Sequence, residues 1–314
     1  MSATGFTPPK LLRSAHVQTL LGGRGRQRWV LRRAAAIRDA SERKLIRCSD
    51  DVTLEAWVAR QPDDAPTVVL IHGWLGHSES SYVLSAAAQL WQQGFSVFRL
   101  NLRDHGDTVH LNEGLYNAAR ISEVIDAVNA LQQQWATGPC GLAGFSLGGN
   151  FALRVARATR IPTVAVCPAL DPGSTMQQID IGWIGYRLYF VRKWQQHMRR
   201  KQQAFPHLYQ FDKAMAIRSV RELTDLFINE YSEFADTQEY LDAYTLTRDG
   251  LADTAATIVY AEDDPVIPAA DFSGLPATID LHANEHGGHC AFLTSPRTPS
   301  WIDGYLADRF RQML

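Results

Sequence analysis

Ser146 sits in the stretch Gly144-Phe145-Ser146-Leu147-Gly148, with a further glycine at 149. The run matches G-x-S-x-G, in which a strand turns sharply into a helix and leaves the serine hydroxyl exposed. The glycines have a physical reason: side chains two residues away would clash in so tight a turn, which holds the serine backbone in a strained conformation. The helix starting behind Ser146 offers unpaired N–H groups and the positive end of its dipole to an anion. A serine hydroxyl is a weak nucleophile at neutral pH, so it needs a base, and the base needs an orienting acid. "AEDDPVIP" supplies Asp263 and Asp264 at the end of an apolar run, and "NEHGGHCAF" supplies His286 and His289. Asp264 follows the serine by 118 residues (264 − 146) and His289 follows Asp264 by 25 (289 − 264).

These groups need elements that bring them together. "VTLEAWVA" (52–59) alternates like a half-buried strand, and "TVVLIHG" (67–73) and "SVFRLNL" (96–102) are short apolar runs ending in polar residues. Helical spacing runs through 80–94, from a serine start to a glycine stop, and through 118–135, where Ile121, Val124, Ile125, Val128 and Leu131 form a stripe. "CGLAGFS" predicts a strand, "LGGNFALRVARA" a helix and "IPTVAVCPAL" (161–170) another strand. Strands over 255–264 and 277–283 and a final helix from about 299 complete the pattern. Such alternation predicts a parallel sheet covered by helices on both faces, with ligands at the carboxyl ends of its strands. His72, Asp104, Ser146 and Asp264 all follow apolar runs, where that rule wants them.

Two segments depart from the alternation. Residues 171–247 hold no convincing strand. Ile184, Leu188, Val191, Trp194 and Met198 step as a helix stripe does, with Arg192, Lys193, Arg199 and Arg200 on the other side. We read 171–247 as a helical cap inserted between two strands of a single domain (1–314). Residues 10–47 are rich in Lys and Arg, opposed only by Asp39 and Glu42, and read as a solvated arm that wraps the domain, within an N-terminal arm over about 1–50, with a lipid or anionic partner surface as the alternative.

The 314 residues carry a net charge of −2, which points to no global field for nucleic acid or membrane. Cys48, Cys140, Cys167 and Cys290 lie far apart without a C-x-x-C pair, so reduced thiols in a cytoplasm are expected. The N-terminus lacks the apolar core of a signal peptide, and no apolar run approaches a membrane span.

At this point the sequence resembles the α/β-hydrolase superfamily, and within it the YheT-like family, which also contains the embryogenesis-associated Emb8 proteins. The likeness rests on "PPKLLRSAHVQTLL", "LIHGWLGH", "GFSLGGNFALR", "YRLYFVRKW", "ELTDLFINEY", "EDDPVIP" and "GGHCAF", which span nearly the whole chain. The resemblance implies the α/β-hydrolase fold and hydrolysis of carboxylic esters, with Ser146 as nucleophile, Asp264 as acid and His289 as base. Asp264 is preferred to Asp263 because "DPVIP" matches the superfamily's D-x-x-V-P, and His289 to His286 because it fills the histidine place of G-G-H-x-x-F. "HGW" (72–74) resembles the superfamily's H-G-x loop, which implies an oxyanion hole from the backbone N–H groups of Trp74 and Leu147. The Trp74 side chain is read either as a wall of the acyl pocket or as a packing residue. One departure stands out: "NLRDHGDT" (101–108) replaces a loop of glycine and serine, and no role for Asp104, His105, Asp107 or His110 follows from the sequence.

Rival readings use the same residues. His282, Glu285, His286, His289 and Cys290 cluster as metal ligands do, but Gly287 and Gly288 break any helix there and no H-E-x-x-H or C-x-x-C spacing occurs. Cys290 as a nucleophile is weaker than Cys290 as a buried structural thiol. Acyl transfer from the same serine and a catalytically silent binding protein on the same fold also stay open. The expected partner is a small-molecule or lipid-like ester, with medium-length acyl groups, no cofactor, no metal and no nucleic acid. Peripheral contact of the basic cap face with a lipid surface stands beside its reading as a solvated face.

Overall fold

The computed structural model describes residues 5–62 and 64–314. The chain opens with short helices α1 (Ala15–Leu20), α2 (Gln27–Arg33) and α3 (Ala35–Asp39), with a π turn over Leu21–Gly25 between the first two. Strands and helices then alternate as β1 (Ser41–Arg47), β2 (Thr53–Ala59), β3 (Thr67–Ile71), α4 (Ser81–Gln92), β4 (Ser96–Asn101), α5 (Ser122–Trp135), β5 (Cys140–Phe145), α6 (Leu147–Thr159) and β6 (Thr163–Val166). Helices α7 (Pro172–Ile181), α8 (Ile184–Ala204), α9 (Val220–Tyr231) and α10 (Thr237–Asp242) follow before β7 (Ala256–Ala261), β8 (Ile279–Asn284) and α11 (Trp301–Met313).

The eight strands form one sheet in the order β1-β2-β4-β3-β5-β6-β7-β8. β1 and β2 pair antiparallel with each other, as do β2 and β4, and every other pair is parallel. This is the mostly parallel, doubly covered sheet that the alternation predicts. Its central strands β3, β4, β5 and β7 are buried along their whole length. Along β3, Val69 and Ile71 pack in one core with α5 and α6, while Val68 and Leu70 pack in the other with α4 and α11. Burial on both faces favours continuous apolar runs, as in β3, β5 and β7, while β4 carries a buried Arg99 that pairs with Glu79.

Among the described residues no strand interrupts 171–247, so the helices α7–α10 form a continuous insertion between β6 and β7. Two expectations need correction. The basic segment 41–47 is not a solvated arm but the edge strand β1, paired from Ser41↔Ala59 to Arg47↔Thr53. Only Ile46 of β1 is fully buried, and its charged side chains suit an edge that must resist further pairing. The helix expected from 118 begins at Ser122 instead. Arg154 reaches across from α6 to the carbonyls of Ala118 and Ala119, and Asn117 Oδ1 accepts from Ala119 N–H at 2.9 Å. Those bonds fix a turn where a helix would need its first carbonyls free.

Candidate active site

Ser146 lies between β5 and α6 with φ 54° and ψ −123°, outside the ordinary L-residue regions. Its backbone is tied down on both sides. Ser146 N–H donates to Val166 O at 2.9 Å, and Ser146 O accepts from Gly149 and Asn150 N–H. The flanking glycines are close-packed against backbone. A Cβ on Gly144 would lie 2.0 Å from Gly148 O, and one on Gly148 would lie 2.3 Å from His72 O. Gly149 is less constrained, its nearest neighbour being Pro168 Cβ at 3.0 Å. Other strained non-glycine residues crowd the same sheet edge, among them Leu75, Asp104, Cys167 and Cys290, all with positive φ. Strained backbone of this kind clusters at functional sites in proteins.

The acid and the histidine meet on the loops after β7 and β8. His289 Nδ1 lies 2.9 Å from Asp264 Oδ2, and Asp264 Oδ1 accepts from Val266 and Ile267 N–H at 2.8 and 3.0 Å. Both Asp264 oxygens are therefore engaged and the carboxylate is buried. Burial opposes a charge on His289, but the adjacent Asp264 carboxylate, with Cys290, outweighs it and raises the imidazole to about 9. Asp263 does something else. Its Oδ1 accepts from Gly288 N–H at 2.9 Å and its Oδ2 lies 3.4 Å from His286 Nδ1, so it props the histidine loop from the side. His282 faces Asp280 at 3.0 Å. The three histidines of the cluster thus face three different carboxylates, and no group of three or more metal-binding side chains converges among the described residues. The buried Cys290 thiol donates to Val166 O at 3.5 Å.

The loop after β3 is held by side chains from elsewhere. Gly73 N–H donates to Tyr82 Oη at 2.9 Å and Leu75 N–H to His105 Nε2 at 3.1 Å. Trp74 N–H between them, and Leu147 N–H at the start of α6, donate to no protein acceptor among the described residues. His105 Nδ1 is 2.8 Å from Arg103 O, and a carbonyl only accepts, so Nδ1 carries the proton and Nε2 is free to accept from Leu75. Burial pushes His105 down to about 4, which keeps it neutral. His72 works the same way, its Nδ1 on Gly73 O at 2.8 Å and its Nε2 on Leu102 N–H at 3.2 Å. Burial lowers His72 as well. The Trp74 ring packs and also walls the cavity, stacked 5.5 Å from Phe190 and edge-on to Trp194 at 5.1 Å, both on α8.

The 101–114 loop, for which the sequence offers no role, joins this loop to the inserted helices. Lys201 of α8 places Nζ 2.8 Å from Asp104 Oδ1 and also donates to the carbonyls of Asn112 and Gly114 at 2.6 and 3.1 Å. Asp104 Oδ2 accepts from Tyr116 N–H at 2.9 Å. Both charged groups are buried. Burial pushes the Asp104 carboxyl up and the Lys201 amine down, and each opposes the other's shift. Asp107 pairs with Arg200 at the surface, and His110 is exposed. The N-terminal segment has a positioning part too. Thr19 Oγ1 accepts from His289 N–H at 2.9 Å. The fully buried Gln18 exchanges hydrogen bonds with the backbone of Leu293 at 2.7 and 2.9 Å. The arm is thus bonded to the domain it wraps. α1 packs on the histidine loop, where a Cβ on Gly288 would strike Ala15 O at 2.6 Å.

Ser146, Leu147, Trp74, His289 and Cys290 line one cavity of about 690 Å³ under α7–α10, while Asp264 stands behind His289. Its far walls are apolar, with Met176, Ile179, Trp194, Met198 and Phe227 among them.

With this geometry in view, comparison with known proteins places the chain. A sequence profile of the α/β hydrolase family matches residues 68–298. The chain belongs to the α/β-hydrolase family. It is 23% identical over 331 residues to YheT of Escherichia coli (strain K12), an alignment covering 97% of this chain and 95% of that protein. Among solved α/β hydrolases, the fold matches the Pyrococcus furiosus esterase Pf2001 with a TM-score of 0.55 at 15% identity, covering 87% of this chain and 90% of that one. It matches Est1E from Butyrivibrio proteoclasticus, solved with ferulic acid bound, with a TM-score of 0.58 at 16% identity, covering 86% and 98%.

Proposed function

We propose that this α/β hydrolase is a serine esterase that cleaves carboxylic esters with medium-length or lipid-like acyl groups, through an acyl-enzyme on Ser146. The observation that carries the reading is the His289–Asp264 contact at 2.9 Å, with His289 lining the same cavity as a serine held at φ 54°. Asp264 occupies Nδ1 of His289, which leaves Nε2 as the nitrogen that takes the Ser146 proton as Oγ attacks the ester carbonyl. Asp264 orients the ring and stabilises the imidazolium. The developing oxyanion falls to the N–H groups of Trp74 and Leu147, which donate to no protein acceptor among the described residues. His289 then returns its proton to the departing alcohol. Water, deprotonated by the same nitrogen, releases the acid. No cofactor enters the scheme.

The inserted helices supply most of the cavity's apolar wall, and this supports their reading as a cap over 171–247 that sets acyl preference. A volume of about 690 Å³ falls within the range of drug-sized ligand pockets and suits an acyl chain of some length. The esterase name of the Pyrococcus furiosus protein agrees with the proposed chemistry.

The test is hydrolysis of p-nitrophenyl esters of increasing acyl length by wild type and Ser146→Ala. Wild type is expected to prefer medium or long chains. The alanine protein should lose about 10⁴-fold or more of the rate while keeping its melting temperature. Equal rates in the two proteins would remove Ser146 as nucleophile. Turnover only in the presence of an added alcohol acceptor would make the protein an acyltransferase.

A further inference from the structure

Ten large apolar side chains are exposed on the described surface, and seven of them come from two short segments. Leu11, Val17 and Leu20 belong to the N-terminal segment, and Leu11 is 92% exposed. Ile181, Trp183, Ile184 and Tyr189 sit at the corner between α7 and α8, where Ile181 is 72% exposed. The segments touch. His16 Nδ1 lies 3.0 Å from Tyr186 Oη, the His16 ring centre is 5.5 Å from that of Trp183, and the Arg24 guanidinium lies 5.1 Å over the Tyr189 ring. Leu20, Trp183 and Tyr189 also line the cavity, so the patch surrounds its mouth.

The charge around this patch has one sign. From Gly5 to Arg38 the sequence contains no Asp or Glu, and none occurs from Ile181 to Phe211. Yet the whole chain carries −2, so the acids have been kept out of these two segments. Among the described residues, Lys10, Arg13, Arg24, Arg28, Arg192 and Lys193 have no carboxylate within 4.0 Å, while Arg200, on the same helix as Lys193, faces Asp107. Lys193 Nζ lies 5.4 Å from the centre of the same Tyr189 ring that Arg24 covers, so two cations flank one exposed aromatic.

Exposed apolar side chains cost solvation unless something covers them, and a patch of this kind marks an interaction surface. Unpaired cations around aliphatic and aromatic tips match a membrane interface, where Trp and Tyr sit at the headgroups and Lys and Arg meet anionic lipid. No helix of the described residues is long and apolar enough to cross a membrane. We infer that this face docks on the surface of a bilayer containing anionic phospholipid, with the cavity mouth turned towards the leaflet. Given the esterase reading, a lipid-like ester then passes from leaflet to Ser146 without crossing water. The docking itself does not depend on that reading.

Co-sedimentation of the full chain with vesicles tests it, using phosphatidylcholine alone and phosphatidylcholine mixed with phosphatidylglycerol. Each surface cation near anionic lipid contributes about fivefold in affinity, so binding should be at least about tenfold tighter to the mixed vesicles and should weaken in high salt. Ile181→Glu combined with Ile184→Glu should reduce binding by at least about tenfold, through the lost insertion and added negative charge. Those two side chains lie outside the cavity, so the double variant should hydrolyse a soluble short-chain ester at the wild-type rate. Ser146→Ala should bind vesicles as wild type does, which separates failure of docking from failure of the esterase reading. Absence of binding to both vesicle types, or binding unaffected by the double variant, would overturn the inference and leave the patch to an acidic protein partner.

Discussion

The turn at Ser146 and the loop at Trp74 lie side by side where β5 and β3 end, and they are held in opposite ways. The serine turn is fixed largely by backbone contacts: Gly144 against Gly148, Gly148 against His72 O, and Ser146 N–H on Val166 O. The Trp74 loop is fixed by side chains from other elements: Tyr82 on Gly73 and His105 on Leu75. His105 in turn neighbours Asp104, which Lys201 of α8 clamps. A local motif therefore encodes one half of the site, and a network through the inserted helices encodes the other. The first half should fail abruptly on small backbone changes, and the second should fail by degrees.

Gly144→Ala is the sharpest way to break the first half. Its Cβ would meet Gly148 O at 2.0 Å, so the turn must open, and a shift of about 1 Å at a reacting group costs about 100-fold or more in rate. Gly149→Ala, with 3.0 Å to Pro168, should cost far less, and kcat for the two variants measures the contrast. In the second half, Lys201→Met strands a buried Asp104. Urea unfolding should show about 3 kcal/mol or more of lost stability, and adding Asp104→Leu should restore part of it. His105→Ala frees Leu75 N–H without touching the reacting atoms. It should lower kcat by about tenfold to 100-fold with KM little changed, and His105→Gln should recover part of the loss if its amide oxygen accepts from Leu75. A merely structural histidine would not produce that split.

The last prediction concerns pH. In the proposed mechanism His289 must be neutral to accept the serine proton, and against the effect of burial Asp264 raises its pKa to about 9. Below that value the neutral fraction falls by about tenfold per pH unit, so kcat/KM should rise with pH and level off above about 9. Asp264→Asn removes the charge that sets this limb and should move it to lower pH at a much reduced plateau. His105, held neutral by burial down to about 4, should add no limb in the neutral range.

How much of this was legible in the sequence follows the same division. The turn at Ser146 could be read because its constraint is local and only glycine meets it. The sheet could be read because doubly buried strands favour apolar runs, as in β3 and β5. The inserted helices showed as a stretch without strand pattern. β1 was hidden because an edge strand buries little, and Ser41–Arg47 has one buried apolar residue among charges. The bracing loop was hidden for a related reason. Asp104 and His105 carry no role in the sequence until Lys201 and Leu75 N–H are seen to meet them. Gln18 and Thr19 gave no chemical signal, yet they tie the first helix to the loop that carries His289. Partners far apart in the chain leave no spacing to read.

The central claim is that Ser146 is the nucleophile activated by His289. The most direct measurement is covalent labelling with a fluorophosphonate, located by peptide mass spectrometry in wild type, Ser146→Ala and His289→Ala. The account predicts one added phosphonyl group on Ser146 in wild type, none in Ser146→Ala, and labelling slowed by about 100-fold or more in His289→Ala. Label on Cys290 or another residue, or equal labelling of Ser146 with and without His289, would contradict it.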